Sequence, residues 1–106
     1  MDERAFETLA GETLARIAER LEDALSDAAD VEFRGGIVTI DCADGRQFVL
    51  NKHAPSREIW LSSPVSGAVH FARSADAWVS TRGPDLLEAR LAADIAAATG
   101  IDVQLA

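Results

Sequence analysis

Asn51-Lys52-His53-Ala54-Pro55-Ser56-Arg57-Glu58-Ile59-Trp60-Leu61-Ser62-Ser63-Pro64-Val65-Ser66-Gly67-Ala68-Val69-His70-Phe71 is the stretch that decides the fold. It reads as the end of one strand, a proline turn, a second strand, a looser turn and the start of a third. Pro55 fixes φ in the first connection, and Pro64 and Gly67 break the second. Between them Glu58 to Ser62 alternates. Ile59 and Leu61 point to one face, and Glu58, Trp60 and Ser62 to the other. Arg46 to Asn51 alternates as well, with Phe48 and Leu50 on one side and Gln47, Val49 and Asn51 on the other. If the aliphatic sides face a core, Asn51 and Trp60 share the solvated side of a sheet. A large indole among polar neighbours on an open sheet face suits a partner. The same pattern is met by an indole tucked under a loop, and periodicity alone leaves both open.

Working outward, Val31 to Arg34 meets Gly35-Gly36, a hairpin signal. Ile37 to Cys42 then alternates, with Val38, Ile40 and Cys42 inward and Thr39 and Asp41 outward. Asp44-Gly45 signals the next turn. Val69 to Ala72 and Ala77 to Ser80 are short strands, the second holding Trp78 as a core residue without an aromatic partner. Residues 3 to 27 read as a long amphipathic helix. Phe6, Leu9, Ala10, Thr13, Leu14, Ile17, Leu21, Ala24 and Leu25 recur at three- and four-residue steps. Gly83-Pro84-Asp85 opens a second helix with proline at its first position. Its buried stripe is Leu86, Leu87, Leu91, Ile95 and Ala98, and Gly100 caps it. Ile101, Val103 and Leu105 give the final tail one apolar edge, expected to pack between the helices. Helix, consecutive antiparallel strands, helix is an α+β two-layer sandwich, with both helices on one face of the sheet.

The 106 residues have room for one domain and one core, and 48% are apolar. No apolar run approaches the roughly 20 residues of a membrane span. Met1-Asp2-Glu3-Arg4 lacks the basic and apolar regions of a signal peptide and the arginine-rich character of a transit peptide. A cytoplasmic protein is the expectation. Cys42 is the single cysteine, which excludes an internal disulfide and a cysteine-based zinc site. There is no nucleophile elbow, phosphate loop or His-Glu-x-x-His. His53 and His70, taken singly, read as surface histidines. Any metal they hold would be held weakly, through exposed nitrogens.

The net charge is −8 and it is uneven. Residues 1 to 32 carry ten acids against three arginines, a net of −7, and the rest is nearly neutral. Phosphates would be repelled, so nucleic acid and anionic membranes are not expected partners. Glu12, Glu19 and Asp23 fall within a helical stripe roughly 40° wide, with Glu22 beside it. Glu12 with Arg16 reads as ordinary helix-surface pairing. Beyond that, Glu19, Glu22, Asp23, Asp27, Asp30 and Glu32 crowd into fourteen residues with only Arg20 among them. Like charges at helical spacing repel by a few tenths of a kcal/mol per pair, a cost that structure alone does not require. Carboxylates suit hard cations such as Fe(II), Fe(III), Mn(II), Ca(II) and Mg(II). On an open face the affinity would be on the order of 10⁻⁴ M or weaker. Asp41, on the outer sheet face, is placed to extend this ridge.

Asn-Lys-x-x-Pro-x-x-x-Ile-Trp-Leu-Ser-Ser-Pro-x-Ser-Gly, residues 51 to 67, resembles the signature segment of frataxins, and the Val-His-Phe that follows is similar to the bacterial members. The acidic first helix and the Gly-Gly turn extend the likeness over nearly the whole chain. The resemblance implies an accessory of iron–sulfur cluster assembly that is non-catalytic or weakly ferroxidase-like, and a monomer without iron. Iron would be bound weakly at Glu19, Glu22, Asp23, Asp27, Asp30 and Glu32. The same ridge would dock a basic patch on the cysteine desulfurase. Asn51, Lys52, His53, Trp60, His70 and Asp41 would contact the desulfurase or the scaffold protein. Two departures fall in the signature: His53 and Glu58 stand where frataxins commonly have glutamine. The N-terminal histidine of some bacterial members is absent, Phe6 and Glu7 standing there. The rival reading is an acidic protein-interaction domain with no physiological metal.

Overall fold

The computed structural model describes all 106 residues. Helix α1 spans Glu3–Leu25. Six strands follow: β1 (Ala29–Arg34), β2 (Ile37–Cys42), β3 (Gln47–His53), β4 (Glu58–Ser63), β5 (Gly67–Ser74) and β6 (Ala77–Ser80). Helix α2 spans Leu87–Thr99. The strands form one antiparallel sheet in sequence order, β1 to β6. Neighbours in sequence are neighbours in space because every link is a short turn. Both helices bury their apolar stripes against one face. No helix is long and apolar enough to cross a membrane.

Local chemistry sets the boundaries. The Asp2 carboxylate accepts from the Ala5 N–H at 2.7 Å and caps α1. The helix ends at Leu25, and Ser26–Ala28 forms one tighter 3₁₀ turn before β1. Gly35 and Gly36 both have positive φ, 59° and 78°, as a type I′ hairpin turn requires. The core holds Phe6, Leu14, Ile17 and Leu21 of α1, Val38, Ile40, Phe48, Leu50, Ile59, Leu61, Phe71 and Trp78 of the sheet, and Leu87, Leu91 and Ile95 of α2. Val103 and Leu105 of the tail are buried with them.

Several sequence expectations are corrected. The second helix does not open at Pro84. The Asp85 carbonyl accepts from the Ser80 N–H at 2.8 Å, and Leu86 bridges Val79. These residues therefore continue the strand pairing, α2 begins at Leu87, and Leu86 stays exposed. Ala24 is also exposed. Strand β5 is longer than Val69 to Ala72 because its whole length pairs with β4 or β6. Trp78 is core but has company. Phe6 meets it edge-on at 6.0 Å, and its indole N–H donates to Thr13 Oγ1 at 3.0 Å. Arg16 does not serve Glu12; it reaches across to Glu88 of α2 at 2.9 Å.

Candidate functional site

The open sheet face is built by register. Asn51 lies opposite Trp60, and Trp60 opposite His70, so residues from three strands line up in one row. His53, two residues beyond Asn51, falls diagonally against Trp60. The outcome is a three-ring stack. His53 lies on one face of the indole (3.8 Å between centroids, 13° between planes) and His70 on the other (4.3 Å, 9°). Two histidines that read singly as surface residues are thus brought together, yet on opposite sides of Trp60, where they cannot share one ion. Their seventeen-residue separation gave no sign of this; only the pairing of β3 with β4 and β4 with β5 supplies it.

Polar groups hold the stack. The Trp60 indole N–H donates to Glu58 Oε1 at 2.8 Å, and His53 Nδ1 is hydrogen-bonded to Ser56 Oγ at 2.8 Å. Beside the stack is a hollow of about 190 Å³, lined among others by Val49, Asn51, Trp60, Ser62, Ala68 and His70. The Asn51 side-chain oxygen is buried without a hydrogen-bond partner. Lys52 is not part of this face. Strand alternation turns it with Leu50 and Ile59 toward the helices, where its ammonium pairs with Glu7 of α1. Its stem lies over Gly36, where a Cβ would meet Lys52 Cε at 2.6 Å.

The remainder of the signature serves another purpose. Ser63 is buried, and its hydroxyl accepts from the N–H groups of Val65 and Ser66 at 3.0 and 3.1 Å. The same hydroxyl donates to Asp94 Oδ2 at 2.7 Å, while the Ser66 hydroxyl donates to Asp94 Oδ1 at 2.9 Å. Asp94 is 1% exposed and also meets Arg90 at 3.4 Å. Asp85, with help from Asp94, raises the Arg90 pKa above its ordinary value. Sequence reading missed this clasp of the β4–β5 turn onto α2. Its signal was an acid set among Leu91 and Ile95 on an apolar stripe.

The acidic ridge is real as a surface. Glu19, Glu22, Asp23, Asp27, Asp30 and Glu32 are all exposed. Asp30 lies directly opposite Asp41, so the ridge passes from α1 over β1 onto β2. Glu32 lies 3.8 Å from Arg34; the other five have no ion-pair partner. The two arginines on the latter part of α1 are turned elsewhere, Arg16 to Glu88 and Arg20 to the Ala106 carbonyl at 2.7 Å. No group of three or more His, Cys, Asp or Glu side chains is placed to hold one metal ion. Cys42 is buried, and burial, with Asp44 next, pushes its thiol above the ordinary pKa.

A family model for the frataxin-like domain matches residues 1–101. The chain belongs to the frataxin-like family. Among curated relatives, the iron–sulfur cluster assembly protein CyaY of Cupriavidus pinatubonensis is 36% identical over 88% of this chain and 86% of its own. That of Neisseria meningitidis is 35% identical over 83% and 84%. Among solved structures, the frataxin of Psychromonas ingrahamii superposes with a TM-score of 0.90 over 100% of this chain and 99% of its own. At 21% identity it speaks for the fold. A trimeric yeast frataxin from Saccharomyces cerevisiae, complexed with ferrous iron, gives a TM-score of 0.75 at 33% identity, over 86% of this chain and 85% of its own. The two helices on a six-stranded antiparallel sheet are thus the frataxin architecture, and the ridge and ring stack are surface features carried on it.

Proposed function

We propose that this frataxin-like chain is an accessory of iron–sulfur cluster assembly that carries Fe(II) or Fe(III) loosely as cargo on the acidic ridge. It docks the cysteine desulfurase through the ridge and the scaffold protein through the Asn51–Trp60 face. Its compartment under this proposal is the cytoplasm. The observation that carries the reading is the unpaired state of Glu19, Glu22, Asp23, Asp27 and Asp30 while Arg16 and Arg20 are engaged elsewhere. Uncompensated carboxylates on a rigid helix and strand attract hard cations and basic surfaces over distances near the Debye length. The names of the bacterial relatives and the ferrous complex of the yeast protein support the same direction. Binding is weak because each ion keeps most of its water and meets few carboxylates at a time.

A second reading, an acidic interaction domain with no physiological metal, is favoured by the lack of any three-ligand group. One experiment separates the two. Glu19→Gln, Glu22→Gln and Asp23→Asn are combined and compared with wild type at two salt concentrations, by metal titration, desulfurase binding and melting. Under the first reading, line-broadening of ridge amides by Fe(II), or by redox-inert Mn(II), is lost in the mutant together with desulfurase affinity. Under the second, desulfurase affinity falls but the wild-type ridge never responds to metal. Relief of self-repulsion stabilises the mutant by up to about 1 kcal/mol. A destabilised mutant would mean that the acids are structural partners, and a stabilised one that keeps both bindings would make the ridge a solubility feature.

A further inference from the structure

Leu86 is 43% exposed, while Leu87, Leu91 and Ile95 after it enter the core. Its backbone is taken by the bridge to Val79 before the helix begins, and this leaves its side chain outside. It lines a groove of about 330 Å³ together with Ala89 and Ala92 of α2, Val103 and Leu105 of the tail and Ala77 of β6. Alanine at 89 and 92 leaves space that larger side chains would fill. The volume is at the small end of the ~300–1,000 Å³ usual for ligand cavities, enough for a few side chains and too little for a whole helix. A leucine set in a concave apolar lining gains by being covered.

The charges around the groove select what covers it. Asp76 and Glu88 line it. A neighbouring hollow shares Val103 and Gln104 with it and holds Arg20, Asp23 and Asp102. The arginines on this side are engaged, Arg16 with Glu88 at 2.9 Å and Arg20 with the Ala106 carbonyl at 2.7 Å. Four acids therefore stand against two arginines, and Asp76 and Asp102 have no ion-pair partner. A second copy of the chain, itself at −8, is repelled from such a border. A segment that carries lysine or arginine beside its apolar side chains is attracted to it.

We propose that the groove between α2 and the tail docks a segment of a partner protein that presents large apolar side chains flanked by lysine or arginine. The apolar side chains cover Leu86 and the alanines of α2, and the cations meet Asp76 and Asp102. The affinity of so small a contact is modest, as in transient encounters. The groove belongs to the helix layer and Trp60 to the opposite face of the sheet, so filling one leaves the other free. The proposal requires neither metal on the ridge nor the docking roles proposed above.

The test titrates the whole isotope-labelled chain, without metal, with the blocked hexapeptide Lys-Lys-Leu-Leu-Lys-Lys and follows the amide resonances. Saturable shifts are expected in residues 76 to 77, 86 to 92 and 103 to 105. Glu-Glu-Leu-Leu-Glu-Glu and Lys-Lys-Ser-Ser-Lys-Lys are expected to leave those residues unmoved. Leu86→Ser is expected to weaken the leucine–lysine peptide by about tenfold, as loss of a buried anchor does. Leu86 is the residue that precedes α2, where serine is a favoured cap, so the fold is kept. The Trp78 indole N–H, bonded to Thr13 in the core, reports this by staying in place. Asp76→Asn combined with Asp102→Asn is expected to weaken binding several-fold at low salt and little at high salt, where exposed charges are screened. Shifts confined to the acidic ridge, or equally large with either control peptide, overturn the proposal. So does undiminished affinity in Leu86→Ser with the Trp78 signal unchanged, and so does self-association of the chain that covers the same amides, which would make a second copy the occupant.

Discussion

Replacing Trp60 by alanine tests whether the ring stack is held by energy or merely drawn by register. The indole is half-buried, and both of its faces are covered by imidazoles at 3.8 and 4.3 Å. Aromatic pairs contribute about 0.5–1.5 kcal/mol each beyond area burial. Losing two should cost about 1–3 kcal/mol, with little added for a partly exposed hydrogen bond to Glu58. That is more than the ~0.5 kcal/mol of an ordinary surface change and less than the ~3–5 kcal/mol of emptying a core aromatic site. Trp78→Ala supplies the latter for comparison, since Trp78 is 1% exposed and bonded to Thr13. Urea unfolding at constant slope measures both. Scaffold affinity of the Trp60 variant should fall by about 2 kcal/mol or more, as for an aromatic anchor. A stability loss below ~0.5 kcal/mol would show the stack to be energetically empty. A loss equal to that of Trp78→Ala would make Trp60 a core residue and remove the reason to expect a partner there.

Deleting residues 101 to 106 should lower the melting temperature clearly, because Val103 and Leu105 are buried and each is worth at most about 1.5–3 kcal/mol; an unchanged melting temperature would mean a free tail. Asp94→Ala should cost about 1–3 kcal/mol by leaving two buried or part-buried serine hydroxyls without their acceptor, while Arg90 keeps Asp85 at 3.1 Å. Hydrogen exchange should then quicken in residues 63 to 67 before it does in β2 or β3, and a uniform increase would argue against a local clasp. Cys42 has a raised folded pKa, so the thiolate is disfavoured in the native state relative to the unfolded one. The stability linked to it is complete below the ordinary value of 9.0 and fades as pH rises from there through the folded value. Iodoacetamide should accordingly modify native protein slowly at neutral pH and unfolded protein quickly, and equal rates would refute the burial argument.

Much of this molecule is local information. The alternation of Phe48 and Leu50, and of Ile59 and Leu61, set which strand faces are buried before any strand was paired. The three- and four-residue spacing along α1 did the same for the helix, and with it placed Glu19 and Asp23 outward. Such patterns are legible because side-chain direction depends only on backbone periodicity. Lys52 illustrates the rule and its neglect: two steps from Leu50, it had to face the helices, and treating it as part of the signature obscured that.

What the tertiary structure alone decided are contacts between residues distant in the chain. Register brought His53 and His70 onto the two faces of Trp60 and set Asp30 opposite Asp41. Helix docking turned Arg16 to Glu88 and Arg20 to the tail, leaving the ridge without its nearest cations. It also closed Asp94 over Ser63 and Ser66, and drew Asp85 and Leu86 into pairing with β6 instead of the helix that Pro84 predicts. Periodicity fixes a side chain's direction but not its neighbour, because the neighbour depends on which strand pairs alongside and how far it is shifted. A charge reads as free or spent only when the reach of every other charge is known, and in this chain that depended on helix–helix and helix–tail geometry.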